Sequence, residues 1–545
     1  MRWGAAALAV LGLLVMLGAA VVAGLVGSDD TIVTEPARIG GDGRPVLTAP
    51  ELLAYEGVSI TLRASAPEGV FVATAHPVDV ADFVGDSSRL RLDSVTSTGV
   101  RSEELGSGPP VDPASADFWT HSLSGPETAE LTLVRDAAAA QWVIAPLAGE
   151  GPTTVSFAVT RPGLFRTALG GLAVGVLLLL VAVEVLLRSR PTRPRRRRGS
   201  HTGSHTSGLP SAAERIAAFV PNHQRPVGGS RKLTRSGIVV TVLALTLSGC
   251  TPADLLPAQR AAGALATSKV ALADTEVPEL FASYRARLAR AVKAASPPHY
   301  REGRWRLADQ GPALESDRFG TRVARLTGLG RQAVPNHRGL TAYSPRFEAY
   351  PMWSLVASRA SGQTRIDLFT RESVMSPWLR AGGSALTELP DGVLPAAGRP
   401  RQAGDSDAAA AATVAWRDYL TSGERDDRLD LDSGSRKWRE NIADLGARAM
   451  FRSASVTVEP AGRTNVSRVV SIADGALALV VLDVTTRLVG RPDLRVGWAP
   501  PYAKYRASRG GVLALRNLAV GVVHLPEQGP PQLLGSSFSE VPVGR

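Results

Sequence analysis

Hydrophobic positions along this chain gather into three runs, and between the runs they alternate with polar ones over short stretches. Gly4 to Gly27 is 24 residues without a charge, where a helix needs about 20 to cross a hydrocarbon core. Residues 4–27 are therefore expected to form a transmembrane helix or signal anchor. Arg2 supplies a short positive flank, and Val21-Val22-Ala23 is a tolerable cleavage site. Ala168 to Leu187 carries only Glu184, beside the arginine-rich end where a carboxylate reaches the interface, so 168–187 is expected to be a second span. Gly171 and Gly175 form a GxxxG, a spacing that lets two helices approach closely. The third run, Gly237 to Gly249, has 13 residues and includes Thr241, Thr246 and Ser248, which is short for a span and suits a signal-peptide core.

Residues 30–165 alternate as strands do: Val58 to Arg63, Val70 to Ala75, Leu90 to Val95, Phe118 to Leu123, Glu130 to Val134, Trp142 to Ala145 and Thr153 to Val159. Short strands broken by Gly, Pro, Asp and Ser predict an all-β, sandwich-like domain with Trp119, Trp142 and Phe157 in its core. Beyond a linker at 250–274 the period changes. Phe281, Tyr284, Leu288 and Val292 repeat at helical spacing up to Ser296, before Pro297-Pro298. Strand-like stretches follow at Arg304 to Leu307, Met352 to Ser358 and Arg365 to Thr370. A second cycle begins where Asp405 or Ser406 can cap a helix through Trp416 and Leu420 to Gly423, and Trp438, Ile442, Leu445 and Ala449 mark another. Val466 to Ala473 and Ala476 to Leu488 flank Asp474-Gly475, a strong hairpin signal, and Val512 to Leu515 and Leu518 to Leu525 add strands. The expected fold is a membrane protein with two or three transmembrane helices, an all-β first exported domain and an α+β C-terminal part, divided as 275–400 and 401–545.

Charge fixes the expected topology. The net charge is +11, but Arg188, Arg190, Arg193 and Arg195 to Arg198 follow the second run directly, and Arg215, Arg225, Arg231, Lys232 and Arg235 precede the third. Such density holds a loop on the cytoplasmic side, so 188–236 reads as a basic cytoplasmic linker, with 30–165 and 250–545 extracytoplasmic. Nucleic acid is not an expected partner, because the basic segment lacks interleaved aromatics apart from Phe219. Within the linker, Ser211-Ala212-Ala213-Glu214 opens a short capped helix, and His201 and His205 stand among glycines that disfavour a metal-binding helix.

Cys250 is the single cysteine, so no intrachain disulfide exists. Leu247-Ser248-Gly249-Cys250, after a basic flank and a short apolar core, resembles the bacterial lipoprotein lipobox, whose cysteine is acylated and becomes a new N-terminus. That resemblance implies lipidation of Cys250. A lipobox normally opens a chain and this one is internal, which leaves two readings: a gene fusion with a relic or late processing site, or a third span. Helices first and a curved sheet after, stated twice, resembles the NTF2-like or cystatin-like α+β cone. Tyr350-Pro351-Met352-Trp353 and Ser376-Pro377-Trp378-Leu379 resemble a domain of unknown function in actinobacterial lipoproteins, a likeness over 300–545 that implies no activity.

Catalytic spacings do not occur: no HExxH, GxSxG, GxxxxGK or paired CxxC. Asp426, Asp427, Asp430 and Asp432 miss the register of a calcium loop, since Gly434 falls one place early for the turn, and they read as a solvated loop between helices. No catalytic, cofactor or metal residue is expected. Three functions remain: a non-enzymatic envelope module that binds or scaffolds, with membrane lipids and other envelope proteins or the cell wall as partners; a carrier of an apolar ligand in the C-terminal cone; and a cell-wall hydrolase.

Overall fold

The computed structural model of the chain describes residues 2–40, 42–53, 58–96, 99–134, 139–148, 151–188, 268–330, 333–386, 405–460, 468–499 and 502–543. Among the described residues two helices are long and apolar enough to cross a membrane: α1, Arg2–Val26, and α3, Leu164–Arg188. They run side by side in opposite directions, Gly12 against Gly175 and Ala19 against Gly171. A Cβ on Gly175 would stand 2.5 Å from Met16 Cγ and 2.9 Å from the Gly12 carbonyl, so the GxxxG does mark a close approach. The seam repeats every seventh residue, with Ala5, Gly12, Ala19 and Val26 on α1 and Ala168, Gly175 and Ala182 on α3. Leu13, Leu17, Val21, Leu177 and Leu180 point away and are exposed. The α3 helix starts earlier than the expected 168 because Asp30 accepts the backbone N–H groups of Gly163 at 2.8 Å and Phe165 at 2.6 Å, a carboxylate seated on the positive helix end. The third run, 237–249, lies outside the described residues.

Between these helices stands a two-sheet β-sandwich. One sheet orders Thr31–Val33, Thr153–Thr160, Ser59–Ser65 and Thr128–Val134, with Ala37–Ile39 also on Thr153–Thr160. The other orders Gly99–Leu105, Arg89–Thr96, Val46–Thr48, Gln141–Pro146, Val70–Ala75 and His121–Gly125. Leu62, Val155 and Phe157 from the first meet Val72, Leu92, Trp142 and Ile144 from the second, with Trp142 and Phe157 stacked at 5.8 Å. Each of the seven expected strands has a counterpart. The expectation for Trp119 is corrected: it lies outside this core, half-buried against Phe83 and Phe118. One short helix, α2 (Pro77–Val84), interrupts the strands.

The C-terminal body is four layers deep. Helices α4 (Val277–Ala295) and α5 (Gly311–Thr327) precede a sheet ordered Arg338–Tyr343, Met352–Ala360, Gln363–Arg371 and Leu379–Ala385. Helices α6 (Asp405–Ser422) and α7 (Ser433–Gly446) precede a second sheet built on the long pair Gly475–Gly490 and Val512–Leu525. The two sheets face each other; α4 covers the outer side of the first and α6 and α7 that of the second, while α5 packs against the edge strand Leu379–Ala385 and against Gln532–Val541. Gly475–Gly490 shows why that segment is apolar at nearly every position: Leu477, Leu479 and Val481 enter the core shared by the sheets, while Ala476, Ala478, Val480 and Leu482 lie under α6. Each such leucine contributes about 1.5–3 kcal/mol by leaving water.

Four expectations need correction here. Glu302–Leu307 is a 3-10 helix, so Arg304 to Leu307 is not a strand; Trp305 turns inward and donates its indole N–H to Thr321 at 2.8 Å. The two stretches 512–515 and 518–525 are one continuous strand. The hairpin loop is Ala473-Asp474, since Ile472 pairs with Gly475, and Gly475 carries the positive φ of 96°. Helix α7 ends before Ala449.

Candidate functional site

The sandwich and the C-terminal body meet at α2. This helix is set by its ends: His76 Nδ1 accepts the Val78 N–H at 3.2 Å, Pro77 occupies the first turn, and the Gly85 N–H closes on the Ala81 carbonyl. It presents Asp79 and Asp82 across the junction. Lys269 Nζ donates to Asp79 Oδ2 at 2.7 Å, the Tyr350 hydroxyl donates to Asp79 Oδ1 at 2.8 Å, and the Val374 N–H donates to Asp82 Oδ2 at 2.7 Å. Beneath them Val78, Ala271 and Met352 are buried together, with Phe347, Tyr350 and Trp378 against them. Burial drives the His76 imidazole down to about 4, so it stays neutral and keeps its capping role. Burial first, and then the Asp79 charge, pushes the Tyr350 phenol far up, which fixes it as a donor. A buried ion pair adds little net stability, but removing one member leaves the other uncompensated at about 3–5 kcal/mol.

Beside the junction opens a cleft of about 560 Å³. Asp117, Trp119 and Thr120 of the sandwich form one wall, Glu279 and Arg287 of α4 the floor, and Met375 and Trp378 the far side. The Arg287 guanidinium donates to the carbonyls of Leu307 and Trp378 and to Ser283 Oγ. Desolvation lowers its pKa from the usual value. Thus Arg287 ties the cleft wall to the segment that leads into α5.

At the end of that segment lies a second cluster. Asp309, 1% exposed, takes Arg380 Nε on Oδ1 at 3.0 Å, and Arg380 also donates to Asp317 Oδ2 at 2.8 Å. Tyr284 of α4 approaches Asp309 Oδ1 at 3.5 Å, and Asp367 holds Arg365 at 3.1 Å. Asp309 Oδ2 has no hydrogen-bond partner. Burial pushes the Asp309 carboxyl up to about 7; Arg380 pulls it down, and the Asp317 charge pushes it up again. Backbone bonds lock the same residues: Arg380 N–H to the Ala308 carbonyl at 3.0 Å, Gln310 N–H to the Arg380 carbonyl at 2.9 Å.

The residue singled out for lipidation, Cys250, lies outside the described residues, as do His201 and His205. The aspartates between α6 and α7 are not all solvated. Asp432 is buried, accepts the N–H groups of Gly434 and Ser435 as the cap of α7, and accepts the Ser536 N–H and hydroxyl from the far strand. Among the described residues no group of three or more His, Cys, Asp or Glu could hold a metal ion. Pattern reading missed Asp79, Lys269, Asp309 and Arg380, whose charged partners and Tyr350 lie 63 to 271 residues away. One local signal was present: His76-Pro77 followed by Gly85 marks the start and stop of α2. Comparison with protein-family models, with curated proteins and with solved structures finds no match.

Proposed function

We propose that this chain is a non-enzymatic envelope protein of the plasma membrane, in which a helical hairpin carries the β-sandwich and the sandwich seats the C-terminal body, making one extracytoplasmic scaffold. The observation that carries the proposal is the Asp79 junction, whose two oxygens are both satisfied from the other body. Bodies in contact share a side of the membrane. The hairpin brings both its free ends, near residues 2 and 188, to the opposite side. On this reading the chain between 189 and 267 crosses again, at the third apolar run, Gly237 to Gly249. The alternative signal-core reading, with acylation of Cys250 and cleavage before it, gives the same sidedness, and the junction would then join two chains. Partners on this reading are membrane lipids and other envelope proteins or the cell wall. A carrier would need an open apolar cavity, whereas the inner sheet faces meet each other and the outer faces lie under helices. Reporter fusions at residues 100, 205 and 450 test the arrangement: the expected outcome is outside, inside and outside. A cytoplasmic reporter at 450 contradicts it.

A further inference from the structure

We propose that Asp309, Asp317 and Arg380 form a proton-dependent latch that fastens α5 to strand Leu379–Ala385 and tightens as pH falls through neutrality. It stands whether or not the proposed sidedness is right, because it rests on the inside of the C-terminal body alone. The latch joins three pieces of chain: Asp309 precedes α5, Asp317 lies within it, and Arg380 begins the strand.

The charge inventory around the latch leaves two carboxylates on one cation. From α4, Arg287 faces carbonyl and hydroxyl oxygens and Tyr284 is neutral, its phenol driven far up by burial. From strand Gln363–Arg371, Arg365 is held by Asp367. From α5 and the preceding turn, Arg318 and Arg322 are held by Glu302, while Glu315 reaches Arg516, which Asp483 shares. His337, ahead of the first strand, bonds Ser358 Oγ at 2.9 Å, and burial lowers its pKa. Among the described residues, Arg380 is therefore the cation within salt-bridge distance of both Asp309 and Asp317. With both ionised the group carries an excess negative charge, and Asp309 has an oxygen that no donor reaches. A proton on Asp309, the deeper of the two, removes that charge where desolvation is costliest.

The sign follows from linkage. A carboxyl that holds its proton up to about pH 7 when folded, against an ordinary value of 3.8, favours the closed latch most below the ordinary value. That preference fades as pH rises through 7. Between pH 6 and pH 8 the opening equilibrium should increase about tenfold. Trp378, two residues before Arg380, accepts from Arg287 and lies in the junction cluster, so loosening the latch reaches the cleft wall.

Hydrogen exchange read by mass spectrometry on the full chain in detergent tests this, with times corrected for intrinsic rate. Peptides covering 308–319 and 378–384 should lose about tenfold protection from pH 6 to pH 8, while 141–146 in the sandwich stays constant. Asp309→Asn should make the latch peptides insensitive to pH. Equal protection at both pH values in the wild type overturns the proposal, and so does a tenfold change that persists in Asp309→Asn. Should Asp309→Asn leave 352–371 unprotected, Asp317→Asn takes its place: Asp309, now alone on Arg380, releases its proton lower, and the change between pH 6 and 8 shrinks well below tenfold. An undiminished change in that variant also overturns it.

Discussion

Asp79 and Asp309 are both buried aspartates with a basic partner, yet the two are finished differently. Each oxygen of Asp79 meets a donor from the opposite body, Lys269 on one and Tyr350 on the other. Asp309 shares Arg380 with a second carboxylate and keeps one oxygen without a donor. The first arrangement suits a fixed contact that locates one body on another; the second suits a group that gains and loses a proton. What separates them is the number of donors each carboxylate is given, since both are almost fully buried.

The strongest way to break the comparison is to remove one body. Gly475→Val places a β-branched residue at φ 96°, with its Cβ 2.0 Å from the Leu525 carbonyl oxygen. Backbone strain and overpacking together should cost about 4 kcal/mol, measured as a fall in the melting transition of the C-terminal body. The sandwich should keep its own transition, which shows whether Asp79 stands on an independently folded unit. Next, Asp79→Ala leaves Lys269 and the Tyr350 hydroxyl buried without their acceptor. Docking should weaken by about 3 kcal/mol, seen as faster exchange of 269–271 and 350–353, with 366–369 unaffected. The smallest change sharpens the comparison most. Tyr350→Phe gives Asp79 one donor-less oxygen, the condition Asp309 already has, and should weaken docking by about 1 kcal/mol in the same exchange measurement.

Much of the architecture was legible before the structure, and the reason is range. The two long apolar helices, the seven expected sandwich strands, α4 and α6 are all written in apolar runs or periodicity among neighbouring residues. Arg304 to Leu307 misled because alternation over four residues does not separate a strand from a 3-10 turn that buries one tryptophan. Helix α5 escaped because its stripe is thin: Ala313, Phe319 and Thr321 are its buried positions, among charged neighbours. Short strands such as Val46–Thr48 and Ala507–Arg509 are three residues long and leave no pattern. The seam between α1 and α3 was half visible, since GxxxG showed in α3 while the matching seven-residue recurrence of Ala5, Gly12 and Ala19 passed unnoticed in an apolar run. The site itself was not legible. Asp79 and Lys269 stand 190 residues apart, and no local spacing joins them.

The sandwich and the C-terminal body are docked through Asp79. Zero-length carbodiimide coupling of the wild-type protein, followed by peptide sequencing, tests that docking without any substitution. Asp79 and Lys269 keep 8% and 17% of their side chains exposed where they border the cleft, and they lie 2.7 Å apart, within reach of amide formation. The expected product is a linked peptide that joins Asp79 to Lys269. Couplings confined within each body, with none across the junction, would contradict it.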